Sequence, residues 1–128
     1  VWPWVADRKP SLDLASAMGA DFQASLTAST LKLLQRTKVP IAITCHDQRR
    51  LKWSRRSRDF STDFYILNEL HQDTVAFDMA FGAAKGLSRP KRESASRWIS
   101  GPGVYRLEVW SQSIRLPEGS VLTMLEVV

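Results

Sequence analysis

Apolar positions alternate with others over 38–59 in two runs that predict a β-hairpin. Val39, Ile41, Ile43 and Cys45 recur at period two and give the first arm one apolar face, while Leu51, Trp53 and Arg55 share a face of the return arm. His46-Asp47-Gln48-Arg49 lacks the Asn-Gly or Asp-Gly pair of the tightest hairpins, so a longer loop built on a type I turn is expected. Pro40 falls near the start of the first arm, clear of the middle of the ladder where its missing N–H would break pairing. A second alternation sets Tyr105, Leu107 and Val109 against Arg106, Glu108 and Trp110 and predicts a strand over 104–116, bent near Ser111 and Ser113. Pro117-Glu118-Gly119-Ser120 reads as a turn, and 121–128 as a closing strand, apolar on both faces except at Glu126.

Spacings of three and four mark the helices. After the breaker Lys9-Pro10, Ser11 is a good N-cap for a short helix through Leu12, Ala15 and Met18 that Gly19 stops. A second helix, from about 21 or 24 to 37, carries Phe22, Leu26, Thr30, Leu33 and Leu34 on one side. The pair reads as a helix-turn-helix or as an ordinary αα-corner. Its cations Lys32, Arg36 and Lys38 sit near the end of the second helix, whereas a recognition helix meets DNA through its N-terminal part. A third helix is predicted over 73–85, capped by Asp73 or Thr74, with Phe77 and Phe81 four apart, Val75 and Met79 four apart, and Gly86 to end it. Phe64-Tyr65-Ile66-Leu67 fits either a short strand or a first helical turn. The stretch 87–96 is polar and basic and is expected to be exposed. Arg97-Trp98-Ile99 is an apolar island before the Gly101-Pro102-Gly103 turn.

Two hairpins with a helix between them predict an α+β fold: an antiparallel sheet of two hairpins with covering helices, GAF/PAS-like, preceded by the helix-turn-helix-like pair. Residues 1–38 form the helical N-terminal segment and residues 39–128 the α+β domain. Fold class alone leaves function open.

Length and composition agree with one globular domain. A chain of 128 residues can bury roughly two thirds of its unfolded surface. No apolar run approaches the ~20 residues of a membrane span, and no signal-peptide pattern is present, so a cytoplasmic location without membrane contact is expected. Cys45 is the single cysteine, which excludes an internal disulfide. The opening Val1-Trp2-Pro3-Trp4-Val5, without methionine, reads as a fragment or a processed chain.

The net charge of +5 is unevenly spread. Arg49, Arg50, Lys52, Arg55, Arg56 and Arg58 crowd the return arm, and Arg89, Lys91, Arg92 and Arg97 form a second group. These clusters point to an anionic partner, whether DNA or RNA, an acidic protein surface or a phosphorylated ligand, or else to the solvated outer face of an exposed edge strand.

Catalytic patterns are missing from the sequence. Asn68-Glu69-Leu70-His71 is the nearest text to HExxH and lacks the second histidine. His46 and His71 are the two histidines, and Cys45 and His46, adjacent on a strand, point to opposite faces and cannot act as thiolate and base. No GxSxG, P-loop or GxGxxG occurs. Among the five tryptophans, Trp53, Trp98 and Trp110, with Tyr105, are candidates to line a ligand pocket on the sheet, with core packing as the alternative. Trp53 between Lys52 and Arg55 is also placed to stack a base.

Several blocks resemble a family. The run 11–26, SLDLASAMGADFQASL, followed by Pro40-Ile41-Ala42-Ile43 and by LKWSRRSRDF at 51–60, resembles the part of ImmA/IrrE-type metallopeptidase regulators that lies downstream of their zinc-binding helix. In that family a helical segment "LA..fgvS..a...Rl..l" precedes a hairpin ending in "RWf.rS.dF". Ala95-Ser96-Arg97-Trp98 and Gly119-Ser120-Val121-Leu122-Thr123-Met124-Leu125 are similar to its C-terminal region. The resemblance implies a bacterial stress-response regulator of transcription. Its zinc peptidase module, upstream of these segments, inactivates a helix-turn-helix repressor, and its GAF-like domain senses a signal or contacts partners. This chain lacks HExxH, so no metal ligand or general base carries over, and it is expected to be non-catalytic and without a cofactor of its own. The competing expectation is a nucleic-acid-binding module using the basic return arm.

Overall fold

A computed structural model describes residues 34–35, 39–82, 86–116 and 119–128. The helix pair expected over 12–37 lies outside the described residues, apart from Leu34 and Gln35.

The first hairpin forms as its alternation dictates. Strands β1 (Ile41–His46) and β2 (Leu51–Arg56) pair antiparallel around the turn at 47–50. The second hairpin joins β6 (Glu108–Arg115) to β7 (Val121–Val127). The two hairpins merge because β1 also pairs with β7, from Ile41 opposite Glu126 to His46 opposite Val121. With β4 (Lys91–Ser94) on the far side of β6, one antiparallel sheet runs β2-β1-β7-β6-β4. A separate ladder pairs β3 (Tyr65–Ile66) with β5 (Ile99–Ser100), which settles Phe64-Tyr65-Ile66-Leu67 as a strand.

Helix α1 (Val75–Phe81) packs against β6 and β7. Thr74 caps it, its hydroxyl accepting from Phe77 N–H at 3.2 Å, and Phe77 stacks on Phe81 with ring centroids 4.4 Å apart. The sequence points to Gly86 as its end. The described helix ends at Phe81 with Gly82 as its C-cap, whose N–H donates to Asp78 O at 2.9 Å, and residues 83–85 lie outside the description.

The sheet separates two cores. Ala42, Val109, Val121 and Leu125 pack with Ala76, Met79 and Ala80 of the helix and with Phe60, Ala95, Trp98 and Ile99. On the other face Ile41, Ile43, Cys45, Ile114, Leu122 and Met124 pack in one cluster with Leu34 and Leu116. β1 is buried at every position, and β7 is buried from Val121 to Leu125. Apolar residues on both faces of these strands are what a covered centre requires.

Three local expectations need correction. The β1–β2 register shifts at Cys45/His46: Cys45 stands opposite Trp53, but His46 stands opposite Leu51, leaving Lys52 as the extra residue of a bulge and moving Leu51 off the face of Trp53 and Arg55. The strand expected over 104–116 starts at Glu108, since Gly103 at φ 73° feeds a 3₁₀ turn at Val104–Arg106. The expected exposure of 87–96 fails at β4, where Glu93 is only 5% exposed. Lys91 and Arg92 remain exposed while Glu93 is buried, so β4 departs from simple alternation and neither its charge nor a period-two pattern marks it as inward.

Candidate functional site

The basic turn is built by its own side chains. Asp47 N–H donates to Arg50 O at 3.0 Å. Asp47 Oδ1 accepts from the backbone N–H groups of Arg49 at 2.7 Å and Arg50 at 2.8 Å, and these bonds, that from Arg50 foremost, hold its carboxyl below the usual range. Gln48 Nε2 donates to Ala80 O at 2.7 Å and ties the turn to the last turn of α1. Lys52 Nζ donates to Ser120 Oγ at 3.0 Å and links it to the second hairpin.

These ties frame a cleft of about 420 Å³ lined by Asp47, Gln48, Arg49, Ala80, Arg115, Gly119 and Ser120. Arg49 reaches it from the first hairpin and Arg115 from the end of β6, where one guanidinium nitrogen makes a long 3.4 Å contact to Gly82 O. Arg115 and Ser120 did not stand out in the sequence. The signal lies in topology: pairing His46 with Val121 carries both hairpin turns to the same end of the sheet.

The six basic candidates divide. Arg56 is committed to the fold: its guanidinium donates to Ser61 O at 3.1 Å and Phe64 O at 2.7 Å and lies 5.4 Å from the Phe60 ring centroid. Arg55 is exposed, donates to Ser54 O at 2.8 Å and lies over Trp53 at 5.8 Å. Arg50 and Arg58 are exposed, and Arg49 opens on the cleft.

The aromatic candidates do not converge. Trp98 is buried in the helix-side core and Trp53 packs against the opposite one, with the sheet between them. Trp110 is half-buried on β6 opposite Arg92 and Glu126. Tyr105 is 73% exposed on its 3₁₀ turn, with Arg106 over its ring at 5.3 Å. Trp98 instead anchors a polar core: its indole N–H donates to Glu93 Oε2 at 2.9 Å, which also accepts from the Ser111 hydroxyl, while Arg97 donates to Glu93 Oε1 at 3.3 Å.

His46 stands edge-on to Trp98, centroids 6.0 Å apart. Its Nε2 meets Leu67 O at 3.0 Å and its buried Nδ1 has no partner. Burial lowers its pKa, against the opposing pulls of the Leu67 bond and the Asp47 charge. A shallower cleft of about 500 Å³ lies along 67–71. Among the described residues no three His, Cys, Asp or Glu side chains gather as a metal site would need, and no helix is long and apolar enough to cross a membrane.

No protein-family model matches the chain, and no curated protein matches it.

Proposed function

We propose that residues 39–128 are a non-catalytic, GAF-like regulatory domain of an ImmA/IrrE-type regulator, controlling a zinc peptidase module upstream that inactivates a helix-turn-helix repressor. The observation that carries this reading is the place of the segments on which the resemblance rests. In LKWSRRSRDF, Trp53 packs on one core and Phe60 fills the other. Arg56 holds the carbonyls of Ser61 and Phe64, and Ser57 Oγ bridges Ile41 N–H at 2.9 Å and Val39 O at 2.7 Å. Ala95 and Trp98 of the second block are buried, and the third block, 119–125, contains most of the central strand β7. Of the segments that carry the likeness, 11–26 lies outside the described residues, and the others join hairpin, loop and sheet. That is what a shared fold requires, because such positions tolerate few side chains.

The chemistry fits control by binding. Both faces of the central strands are occupied, while polar and basic groups collect at the turn end. The test is removal of 39–128 from the intact gene product in its own cells, with repressor cleavage followed by immunoblot before and after stress. Cleavage that becomes constitutive or ceases to respond supports the proposal. Cleavage with unchanged amount and signal dependence overturns it.

A further inference from the structure

We propose that the cleft between the two hairpin turns binds the phosphate group of a small phosphorylated ligand, with Arg49 and Arg115 as its two cationic walls. The inference goes beyond the regulatory reading and stands without it.

Convergence is the first argument. Arg49 and Arg115 belong to different hairpins and are brought to one concavity by the β1–β7 pairing. Two arginines lining one concavity can supply forked guanidinium donors, which match the oxygens of a phosphate. Pre-organisation is the second. The Arg49 backbone is pinned by Asp47, the neighbouring Gln48 is anchored on Ala80 O, and Arg115 stands at the end of a strand rather than in a loop. Ser120, 4% exposed, adds a hydroxyl already engaged by Lys52. A site held in this way loses little freedom when a ligand arrives.

Charge is the third. Among the described residues two arginines line the cleft against one carboxylate, and Asp47 Oδ1 is already engaged by two backbone N–H groups. Size separates a small ligand from a polynucleotide. About 420 Å³ lies within the ordinary range for small-molecule sites, whereas a phosphate backbone needs a stripe of cations. Arg56 is withdrawn from any such stripe by its bonds to Ser61 and Phe64 carbonyls.

The experiment is isothermal titration of the full chain at low salt with inorganic pyrophosphate, with AMP and with a single-stranded oligonucleotide. Saturable one-to-one binding of pyrophosphate or AMP is expected, and the stronger of the two identifies the source of the phosphate. Arg49→Ala and Arg115→Ala should each weaken it at least about tenfold, while Arg58→Ala, exposed in the turn after β2 and outside the cleft lining, should leave it unchanged. Arg115→Gln provides the same comparison should the alanine variant fold poorly, and thermal melts identify any such loss. Absence of saturable binding to both small probes overturns the proposal, as does binding that Arg58→Ala weakens as much as Arg115→Gln. Binding of the oligonucleotide alone overturns it in favour of a nucleic-acid surface.

Discussion

Glu93 has its side chain only 2% exposed and is enclosed by donors from three directions: the Trp98 indole, the Ser111 hydroxyl and the Arg97 guanidinium. A buried carboxyl is tolerated when its oxygens are satisfied, and removing it leaves the donors stranded. Glu93→Ala is therefore expected to cost about 2–4 kcal/mol, read as a lower denaturant midpoint, with Glu93→Gln closer to the parent. None of this was legible residue by residue, because Glu93 sits in a run of basic and polar side chains and its partners lie on other segments.

His46 belongs to the same scale. Its pKa is lowered in the folded protein, so below the unfolded value of about 6.5 the unfolded chain binds a proton that the native one resists. Stability is then complete above that pH and declines as the pH falls below it, down to the folded pKa. His46→Leu should flatten this part of the stability profile. Chemical denaturation at pH 7.5 and at successive steps to 5.0 measures it, and an equal acid loss in the variant would assign the decline to other groups.

Among the elements, the first hairpin and α1 were the most legible, for physical reasons. Ile41, Ile43 and Cys45 repeat at period two, and Thr74 is a capping residue just before a run with Phe77 and Phe81 one turn apart. Thr74→Ala removes the hydroxyl that accepts from Phe77 N–H and should destabilise by about 1 kcal/mol, seen as a shift of the melting midpoint. What escaped were features set by partners. The bulge at Lys52 depends on the register against β1, and β4 exists because β6 offers it an edge. The start of β6 at Glu108 follows from the 3₁₀ turn after Gly103, which alternation alone does not reveal.

At the level of the whole molecule, the prediction of one antiparallel sheet made from two hairpins, with a helix on one face, agrees with the order β2-β1-β7-β6-β4 and the packing of α1. The site was legible in part. Of the cations at 49–58 only Arg49 lines the cleft, with Arg55 and Arg56 toward the far end of β2, and Arg115 enters only through the pairing of β1 with β7, a contact between residues about 80 apart in sequence that no local pattern encodes. The tryptophans show the same limit. Their apolar area was plain, yet Trp53 and Trp98 were assigned to opposite sides of the sheet by strand order and by the Glu93 bond, both long-range facts.

The proposed service of this domain to a zinc peptidase is tested most directly by the mass and sequence of the intact gene product. Mass spectrometry of the protein isolated from its own cells is expected to find a chain heavier than 14.5 kDa, with an HExxH helix upstream of Val1. An intact product with no zinc-binding helix would contradict it.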